Sequence, residues 1–192
     1  MTNKNKLTFV HETATVESDV TLGDSIKVWH EAQIRTRATI GDRCIIGKGV
    51  FIDFDVVIGA DCKLQNYACV YHGVTLGRGV FVGPHVVFTN DLRPRAVTPD
   101  FGLLGDEDWI VGATAVGDGA AIGANSTILP NVSIGKWSMV AAGSTVTTDV
   151  ADYALVIGNP ARHRGWLCPC GQKVSANQCA RCGDLPRDHP LS

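Results

Sequence analysis

The sequence predicts an all-β fold, a three-sided prism of about seven stacked coils of parallel strands. Three observations carry that expectation: an aliphatic residue at every sixth position, a small or short-branched residue four places after it, and a composition rich in strand and turn formers. There are 22 Val, 12 Ile and 21 Gly against 7% aromatics, a balance that suits strands and turns better than helices. One series runs without a miss through Val10, Val16, Leu22, Val28, Ile34, Ile40, Ile46, Ile52, Ile58, Leu64, Val70, Leu76 and Val82 to Phe88. Its small partners include Ala14, Ala32, Ala38, Cys44, Val50, Val56, Cys62, Ala68, Val74, Val80 and Val86. A second series runs through Ile110, Val116, Ile122, Ile128, Ile134, Val140 and Val146.

A helix repeats every 3.6 residues and a single strand every two, so a period of six calls for a short strand, a turn and another short strand. Three such sides close one coil. Stacking the coils pairs each strand with its equivalent about 4.8 Å away and supplies the backbone partners that one coil alone lacks. The aliphatic residue points inward on every side, and the small residue lets the backbone turn the corner. The spacing from Phe88 to Ile110 is too long for one side, so a loop of about sixteen extra residues leaves the prism between about 91 and 107. Long loops in compact folds are functional or disordered. The prism is expected over 8–151, an exit segment with a short turn or helix near 160–165 over 152–167, and a cysteine-containing tail over 168–192.

With 17 basic and 19 acidic residues the net charge is −2, so no basic field exists to hold nucleic acid or an anionic membrane. No apolar run reaches the length of a membrane span, and the polar start over residues 1–6 has no signal-peptide core. The expectation is a soluble, cytoplasmic protein.

The cysteines fall into two groups. Cys44 and Cys62 occupy the small inward position and read as core, and Cys69 is a lone strand cysteine. Cys168-Pro-Cys170-Gly and Cys179-Ala-Arg-Cys182-Gly form two close pairs in the tail. Thiolates in two such turns can enclose a tetrahedral Zn²⁺, with the following glycines letting backbone amides face sulfur. A segment this short has too little core to fold unaided, so the metal would supply its folding energy. Four sulfur ligands leave no open position for catalysis.

Residues eighteen apart lie one above the other on successive coils. Tyr67 is thus expected under His85, Tyr71 under Thr89, and His72 under Asn90, in a polar patch just before the chain leaves for its long loop. His72 can take a proton from an incoming nucleophile, with Asn90 orienting that nucleophile or donating to developing negative charge. The alternative is a pair of solvated turn residues. His11, His163 and His189 have no comparable neighbours and read as surface. Arg93 and Arg95 on the loop either grip a diphosphate bidentately or pair with Asp106, Glu107 and Asp108 across it.

Hexads of this kind resemble the left-handed parallel β-helix of hexapeptide-repeat acyltransferases, and the handedness is implied by that resemblance alone. Val28-Trp29-His30, Lys63-Leu64-Gln65-Asn66, Val70-Tyr71, Gly83-Pro84, Phe88-Thr89-Asn90-Asp91-Leu92-Arg93-Pro94-Arg95-Ala96, Gly123-Ala124-Asn125-Ser126-Thr127-Ile128 and Gly158-Asn159-Pro160-Ala161-Arg162 together are similar to sugar-nucleotide 3-N-acetyltransferases. These include enzymes acting on UDP-2-acetamido-3-amino-2,3-dideoxyglucuronate, and the match covers about residues 8–166. His72, His85 and the cysteine tail depart from that pattern.

The resemblance implies acetyl-CoA as co-substrate, a homotrimer with each site in a groove between prisms, and Asn90 contacting the acceptor amine. Gln65, Asn66 and Arg95 fall on substrate-side positions, with Tyr71, Thr89 and Arg93 beside them. CoA is expected along the later coils, with its amides against backbone from about Gly112 and Ala113 onward and its phosphates near Lys136 or Arg162. Two other readings stand beside this one: O-acetylation of a sugar or small molecule with His72 as base, and a non-catalytic β-helix scaffold.

Overall fold

The computed structural model describes residues 8–105 and 108–192; the polar start and the loop acids Asp106 and Glu107 lie outside the described residues. Strands of two or three residues recur every six positions from Phe9–Val10 to Thr145–Val146 and assemble into three parallel sheets. One side runs from Phe9–Val10 through Met139–Val140 to Ala154–Ile157, the second from Thr15–Val16 to Thr145–Val146, and the third from Thr21–Leu22 to Ser133–Ile134. Each strand pairs with the one eighteen residues on, as in Phe9↔Lys27 and Cys69↔Val87. The architecture is a parallel β-solenoid, consistent with the left-handed β-helix of the resemblance. Among the described residues there is no helix, and so none long and apolar enough to cross a membrane.

The expected inward residues form the core. From Ile26 to Phe88 the aliphatic and small positions are buried almost without exception, Cys44 and Cys62 among them. Fully burying one Val, Leu or Ile stabilises by about 1.5–3 kcal/mol, so the repeated stack holds the prism. From Ser25 to His85 each corner also carries a residue in the left-handed region, seen outside glycine at Ser25, Glu31, Arg37, Arg43, Asp55, Asp61, Tyr67 and His85 with φ between 56° and 65°. Such a backbone costs about 1 kcal/mol or more outside glycine. The stacked neighbours above and below hold it there.

Two expectations about the chain's course need correction. Beyond the loop the pairing offset becomes forty, with Leu76↔Val116 and Phe88↔Ile128, so the excursion inserts twenty-two residues beyond the usual eighteen, rather than sixteen, and extends past 107 to about 112. Ile110, expected to open the second series, is 88% exposed. Its small partner Thr114 is buried, so the second half of that hexad has joined the prism while the first half has not. The exit segment, expected as a turn or helix near 160–165, forms a turn at 158–161 followed by the strand Arg162–Leu167, which folds back antiparallel on Ala154–Ile157.

Candidate functional site

The strand Cys69–Val70 of the second side ends at the corner where Tyr71 and His72 project, and Val87–Phe88 directly above it ends at Thr89 and Asn90. The offset of eighteen therefore holds at the site: Asn90 Nδ2 donates to the main-chain carbonyl of His72 at 3.3 Å. One coil further back, Phe54 lies under His72 with the rings stacked at 4.1 Å and 17°. His72 Nδ1 is 3.0 Å from the Phe54 carbonyl. A carbonyl only accepts, so this bond places the proton on Nδ1 and leaves Nε2 with its lone pair.

Beneath this pair is a satisfied ionic support. Asp53 is buried; its Oδ1 receives Arg35 Nη1 at 2.7 Å and the Phe54 amide at 2.9 Å, and its Oδ2 receives the His72 amide at 3.2 Å. Arg35 and Arg37 lie over the Phe54 ring at 5.2 and 5.9 Å. The Arg37 guanidinium, bonded to Asp55, holds that carboxyl below its ordinary range.

The loop starts and ends at the same corner. Its return is fixed by Gly112 N donating to Asn90 O and Thr114 N donating to Gly73 O, both at 3.0 Å. Gly73 makes this approach feasible: its φ is +90°, and a Cβ there would lie 2.7 Å from Val111 Cγ1 and 2.8 Å from the Gly112 carbonyl. Between the loop and the prism is a cavity of about 640 Å³, lined by Asp91, Leu92, Arg93, Arg95, Leu104, Gly105, Asp108, Trp109, Ile110 and Asn131. Arg93 and Arg95 thus share one wall system with Asp108, which receives the Gly105 amide; Arg95 Nη1 donates to the Pro94 carbonyl.

The structure brings His72, Asn90, Tyr71, Thr89, Gly112 and Ala113 to one corner. Tyr71 packs on Phe51 at 5.4 Å, and Thr89 Oγ1 donates to Ile128 O. Gln65 and Asn66 lie across the second side, at its opposite edge, where Asn66 Oδ1 accepts the Lys48 amide at 3.0 Å. Lys136 is at the corner between the third and first sides, paired with Asp188 and Asp152. Arg162 is on the exit strand, beside a cavity of about 580 Å³ at the end of the prism. The residues expected around CoA therefore occupy three separate places.

One of the three histidine expectations changes. His189 is 3% exposed, not a surface residue, and its Nε2 bonds the Leu167 carbonyl. His11 stacks on His30 at 3.5 Å. His163 is exposed as expected but rests against Trp166. The sequence reading overlooked Asp53, Phe54 and Trp109; the first two lie eighteen or nineteen positions before His72, so the offset that found Asn90 also finds them when run backward.

The tail gathers Cys168, Cys170, Cys179 and Cys182 with all four sulfurs within 4.8 Å of one another, and Cys170 and Cys179 at 3.7 Å. Four thiolates at the usual Zn–S length define a tetrahedron with edges of about 3.8 Å, so the donor set fits. Backbone amides of Arg181 and Cys182 lower the Cys179 thiol to about 7, which favours the ligating thiolate. The tail folds back on the prism through Asp188, which meets both Lys136 and the Tyr153 hydroxyl.

The chain matches the family model of bacterial transferase hexapeptide (six repeats) over residues 55–90 and 113–148, and that of the hexapeptide repeat of succinyl-transferase over 37–66. It is 54% identical over 63 residues to dTDP-3-amino-3,6-dideoxy-alpha-D-galactopyranose 3-N-acetyltransferase of Aneurinibacillus thermoaerophilus, covering 33% of each chain. It resembles a mutant of perosamine N-acetyltransferase from Caulobacter crescentus, in complex with CoA and GDP-perosamine, at 28% identity and a TM-score of 0.50 over 81% of this chain and 55% of that one. PerB from the same organism, with the same two ligands, gives 27% and 0.52 over 81% and 56%. The chain thus spans a third of that curated relative and just over half of the solved structures. With its hexads and its three parallel sheets, the chain carries the hexapeptide repeat of bacterial transferases over residues 37–90 and 113–148 and is similar to that family.

Proposed function

We propose that the protein transfers acetyl from acetyl-CoA to the amino group of a nucleotide-linked amino sugar, with a 3-amino sugar as the preferred acceptor. The observation that carries this is the His72–Asn90 corner, where Asn90 Nδ2 meets the His72 carbonyl and the chain passes directly into Asp91, the first residue lining the loop cavity. The relatives named above act on or bind amino-sugar nucleotides, which supports the choice of acceptor. The specific 3-amino position is suggested by the Aneurinibacillus relative.

In this reading the neutral amine attacks the thioester carbon and forms the new C–N bond. His72 Nε2 takes the proton that the attacking nitrogen sheds. The C–S bond then breaks, and the CoA thiolate leaves and recovers that proton from the imidazolium, giving an acetamide and CoA. Asn90 Oδ1 accepts an N–H of the incoming amine, and its second Nδ2 hydrogen is available to the developing oxyanion. An amine is already a good nucleophile, so orientation supplies much of the rate. Arg93 and Arg95 take the diphosphate from the cavity wall, Tyr71 and Thr89 border the sugar, and Gly112 and Ala113 offer backbone to the pantetheine arm.

Gln65 and Asn66 join the site only if a second prism brings its opposite edge to this corner, which is the arrangement of a homotrimer with the groove between subunits. The tail holds a structural Zn²⁺ on Cys168, Cys170, Cys179 and Cys182, a use of cysteine suited to the reducing cytoplasm. The metal contributes folding, not chemistry.

Assaying matched 3-amino and 3-hydroxy nucleotide sugars with acetyl-CoA tests the reaction class. Turnover of the amine supports N-acetylation. Turnover of the hydroxyl compound alone makes His72 the base of an O-acetyltransferase, a reading favoured by the presence of an imidazole where an amine scarcely needs one. No binding of CoA by calorimetry leaves a scaffold.

A further inference from the structure

His72 bears on the reaction only through the nitrogen it presents, and a solvent-facing imidazole at a turn exchanges between two tautomers and several rotamers. Here three separate contacts restrict it. The Phe54 carbonyl bonds Nδ1 at 3.0 Å, the Phe54 ring covers one face at 4.1 Å, and the buried Asp53 carboxylate bonds the His72 main-chain amide at 3.2 Å. Phe54 in turn has two guanidinium groups near its ring, Arg35 at 5.2 Å and Arg37 at 5.9 Å from its centre. Arg35 also closes an ion pair of 2.7 Å on Asp53. The charged groups facing this stack are therefore Arg35, Arg37, Asp53 and Asp55, and Arg35–Asp53 and Arg37–Asp55 pair with each other.

We propose that Asp53 and Phe54 are positioning residues that fix His72 as the Nδ1–H tautomer, with Nε2 turned to the acceptor; this rests on the reading of His72 as the proton acceptor. Asp53 orients the main chain that carries the imidazole, and Phe54 sets both its tautomer and its plane. Neither touches substrate. A nitrogen displaced by about 1 Å from its productive position can cost up to about a hundredfold in rate, so a loss of either support acts on turnover before it acts on binding.

The test combines imidazole NMR of the full chain, labelled at histidine nitrogen and assigned with His72→Gln, with kinetics on acetyl-CoA and a 3-amino nucleotide sugar. The wild type should show neutral His72 as the Nδ1–H tautomer. Asp53→Asn should lower kcat about tenfold with KM for the sugar changed by less than about twofold, and mix the tautomers. Phe54→Leu, which loses the ring but keeps the main-chain carbonyl, should lower kcat in the same direction while leaving the tautomer, and Phe54→Tyr, which keeps the ring, should restore kcat. If Asp53→Asn does not fold, the Phe54 pair carries the test alone. An Nε2–H tautomer in the wild type overturns the proposal, as do variants that leave tautomer and kcat unchanged. Absence of turnover in a wild type whose tautomer is as stated removes the acetyl-transfer reading and leaves the positioning of His72 intact.

Discussion

At one edge of the second side, Asn66 Oδ1 caps the Lys48 amide, Tyr67 and His85 stack at 5.3 Å, and Trp29 and Phe9 pack together at 5.4 Å. At the other edge, Asn90 Nδ2 donates to the His72 main-chain carbonyl, and among the described residues His72 Nε2 and Asn90 Oδ1 have no hydrogen-bond partner. Both edges occupy equivalent places in the six-residue repeat. The difference teaches that the repeat fixes where a corner side chain stands, while its chemistry depends on whether the neighbours eighteen residues away consume its polar atoms.

The largest effect expected from breaking this contrast is at the open edge. Asn90→Ala should lower kcat by about a hundredfold or more with the melting temperature little changed, measured by steady-state kinetics beside thermal unfolding. At the capped edge the balance reverses: Asn66→Ala removes an accepted amide bond and should cost about 1 kcal/mol of stability, and it should raise KM for the sugar more than it lowers kcat. Subunit exchange sharpens the comparison further. In the proposed homotrimer, mixing Asn90→Ala and Gln65→Ala chains should recover activity that neither parent has, since some grooves then join two intact edges.

Removing the proposed metal acts on a region without repeats. Its core is only Val174, Leu185 and the buried cysteines, with Trp166, Cys170 and Leu191 against it, so chelation should expose four thiols to a colorimetric reagent and open the tail to protease while the prism keeps its β signal. The smallest effect belongs to the corner between the third and first sides. Hydrogen bonds from Arg43 and Arg78 lower Asp61 from 3.8 to about 2. A depressed folded-state value adds stability above 3.8 that is lost as pH falls towards about 2, so the deficit of Asp61→Asn, read by acid unfolding, should be present at neutral pH and vanish at the acid end.

The prism was legible from spacing alone, because a fixed offset places each inward residue without knowledge of the fold. The same offset located Asn90 over His72 and Tyr67 under His85. It failed at Ile110, where six residues from Val116 look like a hexad, though the chain joins the prism only at Thr114. The resemblance alone joins Gln65 and Asn66 to Asn90, and the offset places them at the other edge of the second side. Asp188 meeting Lys136, and His189 of the tail buried against Tyr153 and Leu167, follow from contacts outside the repeat, so no periodicity announced them.

The most direct test is a structure with CoA and a 3-amino nucleotide sugar bound. The acceptor nitrogen should lie within about 3 Å of His72 Nε2, with Asn90 Oδ1 on its other hydrogen. An amine seated away from this corner, with His72 turned to solvent, would contradict the account.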